Sequence, residues 1–198
     1  MAETSKSSPI YIGLLHHPVY NKNRELVTSA ITNLDIHDIA RTARSYNLDG
    51  YFIINPDKEQ QTLAKSITRH WLEGHGSRYN YERGKALQLV EITDSLDETI
   101  DIIKKRHGTA PTLLATTASI SDSLEDRRIS FKMARQILSD SQTAYLILFG
   151  TGWGMAETVL RKSDYIMEPV RCAWDYNHLS VRAAAAIIID RLLSKEYC

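Results

Sequence analysis

The chain has 198 residues, a length that suits one α/β domain with a substantial core. Lysine plus arginine and aspartate plus glutamate each number 24, so no global field draws the protein to a polyanion, and any nucleic acid must be met by a local patch. Two cysteines, Cys172 and Cys198, do not make a disulfide framework, no Cys/His spacing suits a metal, and with neither an apolar signal core nor an apolar run of ~18 residues the expected location is the cytoplasm.

Residues 1 to 8, with Ser, Lys and Thr, read as a disordered start, and 9 to 198 as a single domain. Tyr11 to Leu15 is a predicted first strand. It empties into a polar loop, His16 to Arg24, which admits either a substrate contact or a solvated crossover. From Asn33 to Tyr46, Ile36, Ile39, Ala40 and Ala43 recur at i, i+3, i+4 and i+7, which predicts an amphipathic helix with Asp35 as N-cap and Asp38 at the capping-box position. At ~100° per residue, Arg41 lies opposite that stripe with His37 and Arg44 to one side. Such a face either grips a phosphate or is merely solvated.

Gly50 to Pro56 is a second strand closed by proline, and Asp57 to Glu73 a helix with Leu63, Ile67, His70 and Trp71 on one side, broken by Gly74 and Gly76. Ser77 to Lys85 interleaves Arg78, Tyr79, Tyr81, Arg83 and Lys85. A loop of that kind holds phosphates by charge and stacks unpaired bases, although tyrosines also anchor ordinary loops. Leu87 to Val90 is a third strand, Ser95 to His107 a helix capped by Ser95 with Glu98 at the box position, and Thr112 to Ala118 a fourth strand ending in small hydroxyl residues. Ser119 to Arg128 reads as a loop and Ile129 to Leu138 as a helix.

The stretch Tyr145 to Met155, Tyr-Leu-Ile-Leu-Phe-Gly-Thr-Gly-Trp-Gly-Met, begins with five residues that suit a strand buried on both faces. Gly150, Gly152 and Gly154 then let the backbone turn sharply and approach a ligand where a Cβ would intrude. A dinucleotide fingerprint spaces its glycines G-x-G-x-x-G and needs a second mononucleotide unit downstream. Here the spacing is G-x-G-x-G and fewer than fifty residues follow, which argues against a nicotinamide-dependent oxidoreductase. A tight turn without a ligand is the bland alternative, in which Trp153 is unusual. A short helix from Ala156 to Arg161, a strand from Asp164 to Val170 and a helix from Asn177 to Leu193 complete the chain. The run Ala183 to Ile189 is apolar nearly all round, which predicts burial on several sides and, in so short a chain, a dimer interface. Strands alternating with helices predict a largely parallel sheet with crossovers.

Three segments, in this order, resemble the SPOUT superfamily of α/β trefoil-knot RNA methyltransferases. They are Asp35 to Pro56, with an arginine inside Ile-x-Arg-Thr-Ala, the glycine loop Leu148 to Met155, and Glu168-Pro-Val170 with Asn177 to Ile187. Asn33 to Arg41 and Tyr176 to Arg182 are most similar to a small bacterial family of predicted S-adenosylmethionine-dependent RNA methyltransferases. The resemblance implies a mostly parallel α/β sheet flanked by helices with a C-terminal trefoil knot. It also implies an obligate homodimer with its site at the subunit interface, S-adenosyl-L-methionine as cofactor, and RNA as substrate, tRNA before rRNA.

Carried over by position, the cofactor would meet Thr116, Gly150, Gly152, Trp153, Gly154, Glu168, Pro169, Leu179 and Ser180. Arg41, from either subunit, would stabilise a developing alkoxide or hold the adjacent phosphate, and Arg41, Arg44, Arg78, Tyr79, Tyr81, Arg83 and Lys85 would position RNA. The ribose-methylating branch has Asn six residues before its arginine and a small residue four before, where this chain has Asp35 and His37. It has Asn where this chain has His178. A ribose 2′-oxygen and a base nitrogen therefore both stay open as the methylated atom, and His178 is either a catalytic proton acceptor or an ordinary helix-start histidine. The same departures keep a non-catalytic cofactor- and RNA-binding module as the alternative reading.

Overall fold

The computed structural model describes residues 8–118, 122–139, 143–171 and 178–195. The first half runs β1 (Ile10–Leu15), β2 (Val19–Tyr20), β3 (Leu26–Val27), α1 (Asn33–Ser45), β4 (Gly50–Ile54), α2 (Lys58–Leu72), α3 (His75–Tyr79), α4 (Tyr81–Leu87), β5 (Val90–Thr93) and α5 (Leu96–His107). The second runs β6 (Thr112–Ala115), a 3-10 stretch (Asp122–Arg127), β7 (Arg128–Ile129), α6 (Phe131–Leu138), β8 (Tyr145–Gly150), α7 (Glu157–Lys162), β9 (Tyr165–Met167) and α8 (Val181–Leu193).

Seven of these strands form one sheet in the order β5-β4-β1-β8-β6-β9-β7, with every pair parallel, while β2 and β3 make a separate antiparallel hairpin. All of β1 and β4 is buried, and so is β8 except Gly150, which is why they read as unbroken apolar runs rather than alternations. One face, with Ile12, Leu14, Ile53 and Ile147, packs on α1, α6 and α8. The other, with Tyr11, Leu15, Phe52 and Leu148, packs on α5 through Ile103 and on α7 through Val159. From β1 the chain moves to β4 on one side, and from β8 it moves towards β9 on the other. The connections of two adjacent parallel strands thus leave in opposite directions, which opens a crevice at their carboxyl ends where open α/β sheets bind ligands.

Several local expectations are corrected. The N-cap of α1 is Thr32, whose hydroxyl accepts from the Asp35 amide at 3.1 Å and donates to its carboxylate at 2.7 Å, so Asp35 is the box residue and not the cap. The buried face of α2 is Gln61, Ala64 and Thr68, and Leu63 is exposed. Residues 77 to 85 are largely helical rather than a loop: Asn80 caps α4, and Ala86 and Leu87 bury its end. Leu87 therefore closes a helix, and the third main-sheet strand begins at Val90. Gly76 lies inside α3, and its missing Cβ makes room for the Trp71 ring, 2.6 Å from where that atom would stand.

Arg128 and Ile129 pair with β9 as a strand, so α6 starts two residues late, behind its cap Ser130. The fourth strand stops at Ala115, and the strand expected over 164 to 170 is confined to Tyr165–Met167. Helix α8 begins at Val181 with Ser180 as N-cap, whereas Tyr176 and Asn177, like both cysteines, lie outside the described residues. So does the expected disordered start except for Ser8, which is buried and donates to the Leu138 carbonyl at 2.9 Å. Among the described residues no helix is long and apolar enough to cross a membrane.

The fit of Trp71 over Gly76 generates a test. A methyl group at 2.6 Å from a ring wedged between helices has nowhere to go, so Gly76→Ala is expected to destabilise the protein by about 1–3 kcal/mol in denaturant unfolding, the usual scale of overpacking. A variant as stable as the parent would show that α3 is not held by this contact.

Candidate functional site

The glycine loop leaves β8 at the crevice and is clamped along its length by the chain that leaves β1. The Thr151 amide donates to Leu15 O at 3.2 Å, the Trp153 amide to Tyr20 O at 2.9 Å, the Tyr20 amide to Gly154 O at 2.9 Å, and the Ala156 amide to Pro18 O at 3.0 Å. The glycines differ in what requires them. A Cβ on Gly150 would lie 2.5 Å from Met155 Cγ, and one on Gly152, where φ is +59°, would lie 2.8 Å from Tyr20 O. These two are demanded by the chain's own packing. Gly154 has φ of +101° and open space where its Cβ would stand.

Thr116, Gly150 and Glu168 stand at the carboxyl ends of β6, β8 and β9, which are neighbours in the sheet. Thr116 Oγ1 donates to Leu148 O at 2.8 Å. Glu168 Oε1 accepts from the Phe131 amide at 2.8 Å and so caps α6. Pro169 is buried, Ser180 Oγ accepts from the Ala183 amide at 3.3 Å, and His178 and Leu179 are exposed. Trp153 is 63 % exposed, and among the described residues its hydrogen bonds are made by its backbone.

Below the loop lies a polar group that sequence reasoning passed over. His16, at the end of β1, is fully buried, and its Nδ1 is 3.0 Å from Ser29 Oγ, which is 2.5 Å from Thr151 Oγ1. Thr151 Oγ1 also donates to Leu15 O at 3.0 Å, and Ser29 Oγ lies 3.4 Å from the His16 carbonyl, so strand end, crossover and loop share one polar cluster. The other ring nitrogen, Nε2, has no hydrogen-bond partner among the described residues. Asn55 fixes Ser29 from the other side, Nδ2 donating to its carbonyl at 3.2 Å. Burial lowers the His16 pKa to about 4, opposed by the Asp35 carboxylate. The available signal was a histidine directly after an all-apolar strand.

On α1, Arg41 and Arg44 are exposed. Asp35 and Asp38 face Arg182 of α8, at 3.6 and 3.4 Å, which ties the two helices together. His37 stands edge-on to Trp71 with ring centroids 5.4 Å apart, and the Arg83 guanidinium lies 4.5 Å from a Trp71 ring centroid. Burial and then Arg83 and Arg41 push the His37 pKa down, against Asp38. The structure thus brings Arg83 to the His37 and Arg41 region. Arg78, Tyr79 and Tyr81 are exposed, and Lys85 sits over the Tyr81 ring at 4.4 Å while pairing with Glu82.

Two features of this crevice fit a bound cofactor: the open side of Gly154 and the unpartnered buried Nε2 of His16. Comparison with known proteins points the same way. A family model described as SAM-dependent RNA methyltransferase matches residues 9–194. A protein of Oleidesulfovibrio alaskensis named tRNA (guanine-N(1)-)-methyltransferase is 40 % identical over 196 residues, which are 98 % of this chain but only 44 % of that protein. A protein of Aquifex aeolicus is 36 % identical over 189 residues, 96 % of this chain and 90 % of its own. Among solved structures, a SpoU methyltransferase from Streptomyces viridochromogenes in complex with AdoMet superposes with a TM-score of 0.60 over 96 % of this chain and 58 % of that one, at 15 % identity, a likeness of fold.

The buried histidine makes stability depend on pH in a defined direction. The unfolded chain takes up a proton at His16 near the ordinary 6.5, and the native chain resists it down to about 4. The His16 contribution is therefore intact above pH 6.5 and is lost as pH falls towards 4, by roughly 3 kcal/mol. Urea unfolding across that window is expected to show a shallower pH dependence in His16→Gln. Equal slopes would place the histidine in a solvated setting.

Proposed function

Because the chain belongs to the family of SAM-dependent RNA methyltransferases, we propose that it transfers a methyl group to tRNA at the crevice between β1 and β8. The observation that carries the location is the glycine loop. It is rigidly held by the β2–β3 hairpin, yet at Gly154 it presents backbone with open space beside it. The backbone of Gly150, Gly152, Trp153 and Gly154, the strand ends at Thr116, Glu168 and Pro169, and Leu179 and Ser180 would hold S-adenosylmethionine. The carboxylate of Glu168 and the hydroxyl of Ser180 already cap α6 and α8, so they fix the walls of the site as well as lining it.

When bound, S-adenosylmethionine would supply an electrophilic methyl group on a sulfonium, with a neutral thioether as leaving group. Arg41 stabilises negative charge developing on an attacking oxygen or grips the neighbouring phosphate. His178, just before α8, takes the acceptor's proton. Arg44, Arg78, Tyr79, Tyr81, Arg83 and Lys85 guide the RNA across α1, α3 and α4. Relatives carrying the tRNA (guanine-N1) name support the substrate class, although this chain spans less than half of their length and their named activity belongs to the whole proteins. The methylated atom is a ribose 2′-oxygen or a base nitrogen, and nuclease digestion with mass spectrometry of the product distinguishes the two. An enzyme of this kind works in the cytoplasm.

The working form is a homodimer. In the single chain α8 buries Ala185, Ile188, Ile189 and Leu192, while Ala183, Ala184, Ala186 and Ile187 are half-buried on an apolar helix, a surface suited to a second copy. The C-terminal knot is supported by the return of α8, after β9, to pack beside α1 and α6 over β8.

Calorimetric titration with S-adenosylmethionine, followed by transfer of labelled methyl to unfractionated tRNA, tests this reading. Absence of cofactor binding would overturn it. Gly154→Ala, whose Cβ would occupy the open side of the loop, is expected to weaken the cofactor by about tenfold or more, with a folding penalty of only ~1–2 kcal/mol from the positive φ. Arg41→Ala is expected to keep cofactor affinity and lower transfer by about a hundredfold or more. An unchanged rate would remove Arg41 from the catalytic group.

A further inference from the structure

We propose that the β2–β3 hairpin and the Trp153 side chain form a stacking platform for an unpaired nucleotide of the RNA strand, distinct from the surface on α1, α3 and α4. The inference rests on the reading that this chain acts on RNA. Trp153 is 63 % exposed, but its backbone is not loose, because its amide donates to Tyr20 O at 2.9 Å and the next residue accepts from the Tyr20 amide. An indole in water on a clamped loop is presented to something.

Beside it, Tyr20 and Leu26 face each other across the hairpin, and Leu26 is 57 % exposed. The Tyr20 ring is held at both ends: its hydroxyl accepts from the Glu157 amide at 3.3 Å, and the Arg24 guanidinium lies over the ring at 4.5 Å. Arg24 adopts φ of +65°, a left-handed conformation that asparagine and glycine take at less cost. The turn itself is built by Asn21, whose Oδ1 accepts from the amides of Asn23 and Glu25. The strained position thus carries a guanidinium that the turn does not need. Neither Arg24 nor the exposed Lys22 forms an ion pair among the described residues, and the neighbouring Glu25 carboxylate, turned to Asn21 Nδ2 at 2.8 Å, offsets only one of the two positive charges.

An exposed indole, a phenol capped by a guanidinium and a free lysine on a rigid ribbon match a base flanked by phosphates. The chain as a whole is neutral, so attraction of a polyanion has to come from such local cations. A protein partner would find two apolar anchors, Trp153 and Leu26, and would bury two cations without acceptors.

The test measures binding of a fluorescein-labelled short oligouridylate and of unfractionated tRNA to the full chain, with S-adenosylmethionine titrated separately into each variant. Trp153→Ala is expected to weaken both RNAs by about tenfold or more, the scale of one lost stacking contact, and Trp153→Phe to restore most of it. Arg24→Gly removes the cation and relieves the positive φ. Its melting temperature should hold or rise while RNA affinity falls and the log–log salt slope shrinks by ~0.7. Unchanged RNA affinity in Trp153→Ala and Arg24→Gly overturns the platform. Loss of cofactor affinity in Trp153→Ala with RNA binding intact also overturns it, and assigns the indole to the cofactor. Self-association abolished by Trp153→Ala with RNA binding intact overturns it in favour of a protein interface. A parent chain that binds RNA through these residues but not S-adenosylmethionine would sink the methyltransferase reading and leave the platform standing.

Discussion

The parallel pairing of β1 with β8 is the contact on which the rest depends. It joins Ile10 through Leu15 to Tyr145 through Gly150, segments from opposite ends of the chain, and it needs Gly13 at its middle, where a Cβ would come within 2.9 Å of a Leu148 methyl. Closing so long a loop is costly in entropy, and what repays it is two strands buried almost completely on both faces. Because the connections from these strands then diverge, the same pairing that completes the core opens the crevice at its carboxyl edge. Core and site have one origin.

What fills that edge is the chain itself as much as any ligand. The chain after β1 supplies the hydrogen-bond partners of the glycine loop; Gly152 lets hairpin and loop approach, and Gly150 makes room for Met155 of the loop's own segment. Beneath them, the line from His16 through Ser29 to Thr151 ties strand end, crossover and loop into one polar network. A buried imidazole is costly to charge, so the network stays neutral around neutral pH, while four backbone hydrogen bonds hold the loop in place. Rigidity here matters for function: a loop whose position is set before the ligand arrives has less entropy to lose on binding.

The helix that carries Arg41 is positioned by similar means. Asp35 shares its carboxylate between the Thr32 cap and Arg182, and Asp38 meets the same arginine. Partly solvated pairs of this length contribute little energy each; the buried stripe of Ile36, Ile39, Ala40 and Ala43 is what turns Arg41 outward. Asp35, where a ribose-methylating relative would carry Asn, is occupied structurally, and His37 is packed on Trp71. The cations that would meet RNA are therefore grouped around two tryptophans, Trp71 half-buried among helices and Trp153 in the open, in a chain with no net charge to spread elsewhere.

Much of the architecture was legible because its causes are local. The i, i+3, i+4 stripe of α1, the Ser95 cap with Glu98, and the apolar run before the glycines each declare an element through a period or a hydrogen bond spanning a few residues. The resemblance to knotted methyltransferases was legible in the same way, from residue types at fixed distances along the chain. The helices over 75 to 87 were not, because segments so short are marginal alone and here depend on Ala86 and Leu87 reaching the core and on a glycine under Trp71. Nor could the sequence say that Gly150 and Gly152 serve the chain's own packing while Gly154 opens outward, or that His16 is buried and His178 exposed. By itself, then, the sequence determined the long buried strands and the longer helices, where the glycine loop falls and which family the chain resembles. Strand order, the hairpin against the loop and the burial of His16 were decided only by tertiary structure, since each is set by atoms far apart in the chain.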